Sequence, residues 1–150
     1  MDVDGSLTDG KLYIGSSGEL MKAFSVKDGY ALNHILPDNG IIPVIITGRK
    51  SDIVTRRCEE LHITEVHQGV ADKLSELLQI TGNLSSVAYF GDDIPDLDCM
   101  KEVISAGGIA GCPADAVDEV REACDYVCTH NGGEGALREF VEWLTGIKSE

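Results

Sequence analysis

Two carboxylates two residues apart, Asp2 and Asp4, stand in the opening segment Met1-Asp2-Val3-Asp4-Gly5-Ser6-Leu7-Thr8-Asp9-Gly10. A second acidic group, Gly91-Asp92-Asp93-Ile94-Pro95-Asp96, comes much later, and Thr47-Gly48-Arg49 and Lys73 lie between the two. A spacing of two puts Asp2 and Asp4 on one side of a strand, and Gly5 lets the backbone turn directly afterwards. Val87, Ala88, Tyr89 and Phe90 read as a buried strand running through Gly91 into Asp92. Ligands collect at the strand ends of open parallel sheets. Carboxylates gathered there repel one another unless a hard cation sits between them, and oxygen-only ligation with open positions suits Mg²⁺. The pattern is that of a metal-assisted phosphoryl-transfer site.

In that chemistry Asp2 is the nucleophile, forming an aspartyl-phosphate. Asp4 protonates the departing alkoxide and then deprotonates the water that hydrolyses the intermediate. The Thr47 hydroxyl and a backbone N–H beside it, in the turn through Gly48, are donors for phosphoryl oxygens. Lys73, at a helix start, neutralises phosphoryl charge. Asp92 is the expected metal ligand, with Asp93 and Asp96 orienting Lys73 or water at the metal. Each motif alone also fits a solvated turn, a helix start or a surface lysine. Their order and strand-end placement are what make them a set.

The elements that must position these residues alternate short apolar strands with amphipathic helices, as in an α/β layered sheet. The fold expected is one Rossmann-like domain over residues 1–150, with a mostly parallel central sheet and helices on both faces. Lys11 to Ile14 and Glu19 to Phe24 flank Gly15-Ser16-Ser17-Gly18 and predict a protruding β-hairpin at about 11–24. Helices are expected over Asp28 to Leu36, from a Ser51-Asp52 cap to about Leu61, from Asp72, over Asp96 to Val103, Asp115 to Ala123 and Glu134 to Leu144. Arg56 and Arg57 fall on the polar side of the second of these. Strands are expected at Ile41 to Ile46, with regular pairing from about Pro43, and at Thr64 to His67, Val87 to Phe90, Ile104 to Ala110 and Tyr126 to Cys128. Asn131-Gly132-Gly133 reads as a flexible connection. The first strand has only Met1 ahead of Asp2, which implies an upstream start or an unusually short strand.

The formal net charge of −14 argues against nucleic-acid and anionic-membrane partners. Attraction for a phosphate ester must therefore be local, from a metal and a few cations. Hydrophobic content of 43% is ordinary for a globular domain able to bury a core. Five cysteines, with no CxxC pair, fit a reducing cytosol, and cytoplasm is the expected compartment. Cys124, Cys128 and His130 lack an evident fourth zinc ligand, and small buried side chains are the expected role of the cysteines. No stretch is apolar and long enough to cross a membrane. The four histidines show no metal-ligand spacing.

Together, DxDGxxTDG at Asp2 to Gly10, the TGR at Thr47 to Arg49, Lys73, and GDDxxD at Gly91 to Asp96 resemble the four motifs of the haloacid dehalogenase superfamily of phosphatases. The resemblance covers nearly the whole chain. It is to the small capless group that contains the 3-deoxy-D-manno-octulosonate 8-phosphate phosphatases, on Leu7-Thr8-Asp9-Gly10, the hairpin, Gln68-Gly69-Val70-Ala71-Asp72-Lys73 and Gly132-Gly133-Glu134-Gly135-Ala136-Leu137-Arg138-Glu139. Spacing agrees independently: 44 residues between Asp2 and Thr47 and 25 between Thr47 and Lys73 leave no room for a cap domain.

The resemblance implies Mg²⁺ held by Asp2, the Asp4 carbonyl and Asp92, with Thr47, Gly48 and Lys73 on the phosphoryl group. It implies a homotetramer in which neighbouring hairpins and tails cover each open site, with Tyr13, Ile14, Leu20 and Phe24 as interface surface. Arg49 resembles the octulosonate enzymes and is the expected substrate-binding residue. Glu134 departs from the basic residue often found there in that group. The alternatives are a 2-keto-3-deoxynononate 9-phosphate phosphatase, another sugar-acid phosphatase, or a phosphoacceptor signalling domain. The last usually carries its accepting Asp after a central strand, where this chain has Thr47.

Overall fold

The computed structural model describes residues 1–147, so the last three residues of the expected domain lie outside the described residues. Val44–Ile46 (β3) and Glu65–His67 (β4) pair in parallel, with Val44 opposite Glu65 and Ile46 opposite His67. Ala88–Phe90 (β5), Ile109–Cys112 (β6) and Tyr126–Val127 (β7) form a second parallel set in that order. The opening residues join the two sets. The Met1 amino group donates to the Val44 carbonyl (2.8 Å). The Ile46 N–H donates to the Met1 carbonyl (2.9 Å), and the Asp2 N–H to the Phe90 carbonyl (3.0 Å). Asp2 therefore emerges at the centre of the layer, between the ends of β3 and β5.

Side chains on these strands alternate between two apolar clusters. Ile45 and Phe90 pack with Leu32, Ile35, Val54, Leu137 and Phe140. Ile46 and Tyr89 pack with Leu77, Met100, Val103 and Val120. Helices Val26–Tyr30 (α1), Leu36–Asp38 (α2), Asp52–Glu60 (α3) and Ala136–Thr145 (α7) cover the first face. Lys73–Ile80 (α4), Leu97–Ser105 (α5) and Asp118–Ala123 (α6) cover the other. Fully burying a side chain such as Leu or Phe is worth roughly 1.5–3 kcal/mol, and both faces share that drive. This is the expected α/β layer, with helices on both sides and no cap among the described residues.

The hairpin is Tyr13–Gly15 (β1) and Gly18–Met21 (β2), antiparallel about Ser16-Ser17 and irregular between Tyr13 and Ile14. A further antiparallel bridge joins Thr8 to Phe24 and ties its base to the acidic segment.

Several boundaries differ for physical reasons. The predicted helix Asp28 to Leu36 is longer, running through α1, a π turn at Ala31–Ile35 and α2. Pro37 has no N–H for the Asn33 carbonyl, and the Leu36 N–H donates instead to the Ala31 carbonyl. Strand pairing at β3 begins only after Pro43. Ile104, expected in a strand, lies in α5; Gly107, at φ +93°, makes the turn before β6. Ser51 stands at the start of α3 but makes no capping bond, its hydroxyl being turned to Glu19 (2.8 Å). Arg57 is not simply on a polar face, since its guanidinium lies 5.6 Å from the Phe24 ring centroid. Cys58, Cys99, Cys112 and Cys128 are buried, as small apolar side chains. No helix of the described residues is long and apolar enough to cross a membrane.

Candidate active site

Asp2, Asp92 and Asp96 offer carboxylate oxygens all within 4.8 Å of one another, and among the described residues they form the one cluster of potential metal ligands. Their positions follow from the strand ends: Asp2 beside β3 and β5, and Asp92 two residues past β5. Asp96 is folded back by the turn Ile94–Asp96. Lys73, at the first position of α4 behind its Asp72 cap, reaches across the sheet end. Its Nζ donates to Asp2 Oδ1 (2.7 Å) and Asp96 Oδ1 (2.9 Å).

Asp96 is saturated within the protein. Its Oδ1 also accepts the Tyr89 hydroxyl (2.9 Å), and its Oδ2 takes the N–H groups of Asp92 (3.1 Å) and Asp93 (3.4 Å). It shapes the loop and aims Lys73. Asp93 stays outside the group: it is exposed, and its carboxylate accepts the Ile94 N–H (2.7 Å) at the head of the turn.

Burial raises the Asp2 carboxyl above its usual range, with Asp96 adding to this and Lys73 opposing it. Burial, and then the charge of Asp2, push Asp92 up to about 8. The Lys73 ammonium is disfavoured by burial, but Asp2 and Asp96 outweigh that and hold it above the ordinary lysine value. A cation between these two carboxylates would favour the charged form of both. The surrounding packing fits one as well. Gly5 is at φ +90°, and a Cβ there would lie 1.9 Å from Asp92 Oδ2, so the backbone is drawn close to the carboxylate. The donors available from Asp2, Asp92 and the adjacent main chain are all oxygen, the set preferred by Mg²⁺.

Thr47 is buried directly after β3, its N–H donating to the His67 carbonyl (2.9 Å) and its carbonyl accepting the Val70 N–H (3.1 Å). That N–H is therefore spent on the sheet, and Thr47's hydroxyl and the N–H of exposed Gly48 are the donors left for an anion. Arg49 is half-exposed on the rim, its guanidinium 3.8 Å from Glu19 Oε2. Asp4 is met by a residue that sequence reading missed, the hairpin's Lys22, whose Nζ lies 2.5 Å from Asp4 Oδ1.

Other supports were also missed. Ser6 is fully buried and donates its hydroxyl to Asp92 Oδ1 (3.2 Å). The Thr8 hydroxyl oxygen accepts from the N–H groups of Gly5 and Gly10 (both 3.2 Å), closing the acidic loop. Gly132 and Gly133, expected to be a flexible connection, are packed against that loop. A Cβ on Gly132 would stand 1.9 Å from the Gly5 carbonyl oxygen, and one on Gly133 2.5 Å from the Thr8 carbonyl carbon. The doublet Gly132-Gly133 was the available signal, since adjacent glycines mark close backbone approach as readily as flexibility. Cys124, Cys128 and His130 form no metal cluster with a fourth ligand among the described residues.

No family model matches the chain. Curated relatives do. The 3-deoxy-D-manno-octulosonate 8-phosphate phosphatase KdsC of Escherichia coli (strain K12) is 40% identical over 148 residues, 96% of this chain and 76% of its own length. The enzyme of the same name from Yersinia pestis is 38% identical over 147 residues, 95% and 76%. Among solved structures, the phosphatase of that name from Moraxella catarrhalis, in complex with magnesium ion, phosphate ion and KDO, superposes with TM-score 0.86 at 42% identity, covering 97% of this chain and 83% of that one. A cobalt-bound deoxy-D-mannose-octulosonate 8-phosphate phosphatase from Haemophilus influenzae gives TM-score 0.86 at 35% identity, covering 97% and 84%. The matched stretch spans nearly the whole chain, and the identity exceeds what fold likeness alone requires. The chain belongs to the 3-deoxy-D-manno-octulosonate 8-phosphate phosphatase family of the haloacid dehalogenase superfamily.

Proposed function

We propose that this chain is a Mg²⁺-dependent phosphomonoesterase that hydrolyses 3-deoxy-D-manno-octulosonate 8-phosphate through an aspartyl-phosphate on Asp2. The observation that carries the reading is the convergence of Asp2, Asp92 and Asp96 with Lys73 bonded between two of them. The substrate is supported by the curated relatives that bear its name and by the neighbour that holds magnesium, phosphate and KDO.

Mg²⁺, held by the carboxylates of Asp2 and Asp92 and the Asp4 carbonyl, would supply positive charge against the phosphoryl oxygens. An Asp2 oxygen attacks phosphorus as the ester oxygen leaves, and Asp4 gives that oxygen its proton. Asp4 then takes a proton from the water that attacks the acyl phosphate, which frees Asp2 and releases phosphate. Thr47, Gly48 and Lys73 hold the phosphoryl oxygens throughout, and Asp96 keeps Lys73 aimed. Asp93 acts only through the shape of its turn. Arg49, on the rim, meets the acid end of the sugar.

The whole chain works as one domain, in the cytoplasm, on a small phosphorylated sugar acid. Its functional form is a homotetramer whose hairpins cover neighbouring sites, consistent with exposed Ile14 and Leu20 on the hairpin. The test is phosphate release over a panel of sugar-acid phosphates with and without Mg²⁺. The eight-carbon ester should give the highest kcat/KM, the nine-carbon ester should rank lower, and EDTA should abolish release. Asp2→Asn should remain folded and lose turnover by about 10⁴-fold or more. Parent-like turnover in that variant would remove the aspartyl-phosphate, and a stable stoichiometric phosphoprotein without turnover would turn the reading toward signalling.

A further inference from the structure

Lys22 follows β2, and its side chain is only 1% exposed. A buried ammonium is tolerated when it is paired, and this one has two partners: Asp4 Oδ1 at 2.5 Å and Glu19 Oε2 at 3.0 Å. Glu19 is itself fixed, accepting the Ser51 hydroxyl on Oε1 (2.8 Å) and lying 3.8 Å from the Arg49 guanidinium. The chain of contacts therefore runs from the loop after β3, through Glu19, to Lys22 and on to Asp4. Asp4's side chain keeps 20% exposure, so with Oδ1 taken by Lys22, Oδ2 is the oxygen available to a substrate.

We propose that Lys22 is a positioning residue for proton transfer, holding the Asp4 carboxyl so that Oδ2 faces the ester oxygen that leaves phosphorus. This rests on the phosphatase reading above. As the P–O bond breaks, its electron pair passes to the leaving oxygen and the Asp4 proton follows, leaving a carboxylate against an ammonium that keeps its own protons. The lysines thus divide the acids of the site: Lys73 serves Asp2 and Asp96, while Lys22 serves Asp4 and Glu19. Sitting on the hairpin rather than on the layered core, Lys22 couples the seating of the hairpin to the protonation of the leaving group.

The discriminating quantity is leaving-group dependence, because p-nitrophenolate departs without a proton whereas a sugar alkoxide does not. Using kcat/KM, which reports steps through phosphoenzyme formation, Lys22→Met should lower turnover of the sugar-acid 8-phosphate by about 10²-fold and of p-nitrophenyl phosphate by less than about tenfold. In an Asp4→Asn background Lys22→Met should cause no further loss on the alkyl ester, whereas with Asp4 intact Lys22→Arg should keep more alkyl-ester turnover than Lys22→Met. Equal losses on both esters, or losses that add to Asp4→Asn, would make Lys22 merely structural and overturn the proposal. If Lys22→Met does not fold, Lys22→Gln and Glu19→Gln carry the same comparison with the same outcomes. Turnover by Asp2→Asn would instead defeat the phosphatase reading. Loss in Asp2→Asn, with a leaving-group split in Asp4→Asn but none in the Lys22 variants, would defeat this inference alone.

Discussion

Gly5 has no room for a side chain, and that is a statement about the metal site as much as about a turn. An alanine there would occupy a φ of +90° and place its Cβ 1.9 Å from Asp92 Oδ2. Backbone strain of about 1–2 kcal/mol is the smaller part, and the larger is displacement of the carboxylate proposed to face the cation. Gly5→Ala is expected to lower Tm modestly and to erase most of the Tm rise that Mg²⁺ gives the parent. A thermal shift series with Mg²⁺ reads this, and an undiminished Mg²⁺ response would mean that Asp92 is not a ligand. Arg49 is a different kind of residue, half-exposed and bound only loosely to Glu19. Arg49→Glu would set two carboxylates against each other at that rim and remove the one guanidinium proposed to meet the sugar acid. The ranking among eight- and nine-carbon esters should change while p-nitrophenyl phosphate hydrolysis falls less than about tenfold. An unaltered ranking would exclude Arg49 from substrate choice.

Among the elements, α1 and α7 are joined by a buried acid that the chemistry does not use. Asp28 Oδ1 accepts the Arg138 N–H (2.9 Å) in the first turn of α7, while its Oδ2 has no protein partner. Burial raises its carboxyl above the usual value, and the N–H groups it accepts only partly offset this. A carboxyl raised in the folded state binds more protons there than in the unfolded chain, so its stabilising contribution is whole at low pH. It is lost as pH climbs from the unfolded value of 3.8 through the raised one. Asp28→Asn keeps an acceptor without the charge. Its Tm should exceed the parent's by about 2–4 °C at pH 8 and match it near pH 4. A gain independent of pH would mean that burial of the charge is not the cause. Elements of this kind were legible where a local rule governs them. The hairpin was announced by Gly15-Ser16-Ser17-Gly18, the start of β3 by Pro43, and α4 by its Asp72 cap. Contacts such as Asp28 with Arg138, or Gly132 against Gly5, join residues more than a hundred apart, and no local rule encodes them. For the site, the acids and Lys73 were legible because the chemistry needs those types at strand ends. Lys22 was not, because a lysine near a hairpin ordinarily points to water.

The molecule has its site at one end of the layer with no cap over it among the described residues, and water exclusion must come from elsewhere. Its net charge of −14 also makes self-association costly unless apolar surface drives it. The hairpin has that surface: Ile14 is 60% exposed and Leu20 67%, on the same excursion that carries Lys22 and Glu19 to the active site. Burying such side chains against another subunit would offset the charge and hold the hairpin over the acids at the same time. Two measurements should therefore move together. Ile14→Asp with Leu20→Asp is expected to convert the proposed tetramer to smaller species in light scattering, with Tm of the single subunit little changed because neither side chain supports the core. The same variant should lose at least tenfold in kcat/KM for the sugar-acid ester but less for p-nitrophenyl phosphate, which needs neither the covering surface nor a seated acid. A parent-sized assembly, or a dissociated subunit with unimpaired turnover of the sugar-acid ester, would separate the hairpin from assembly or from catalysis and leave the open site to work alone.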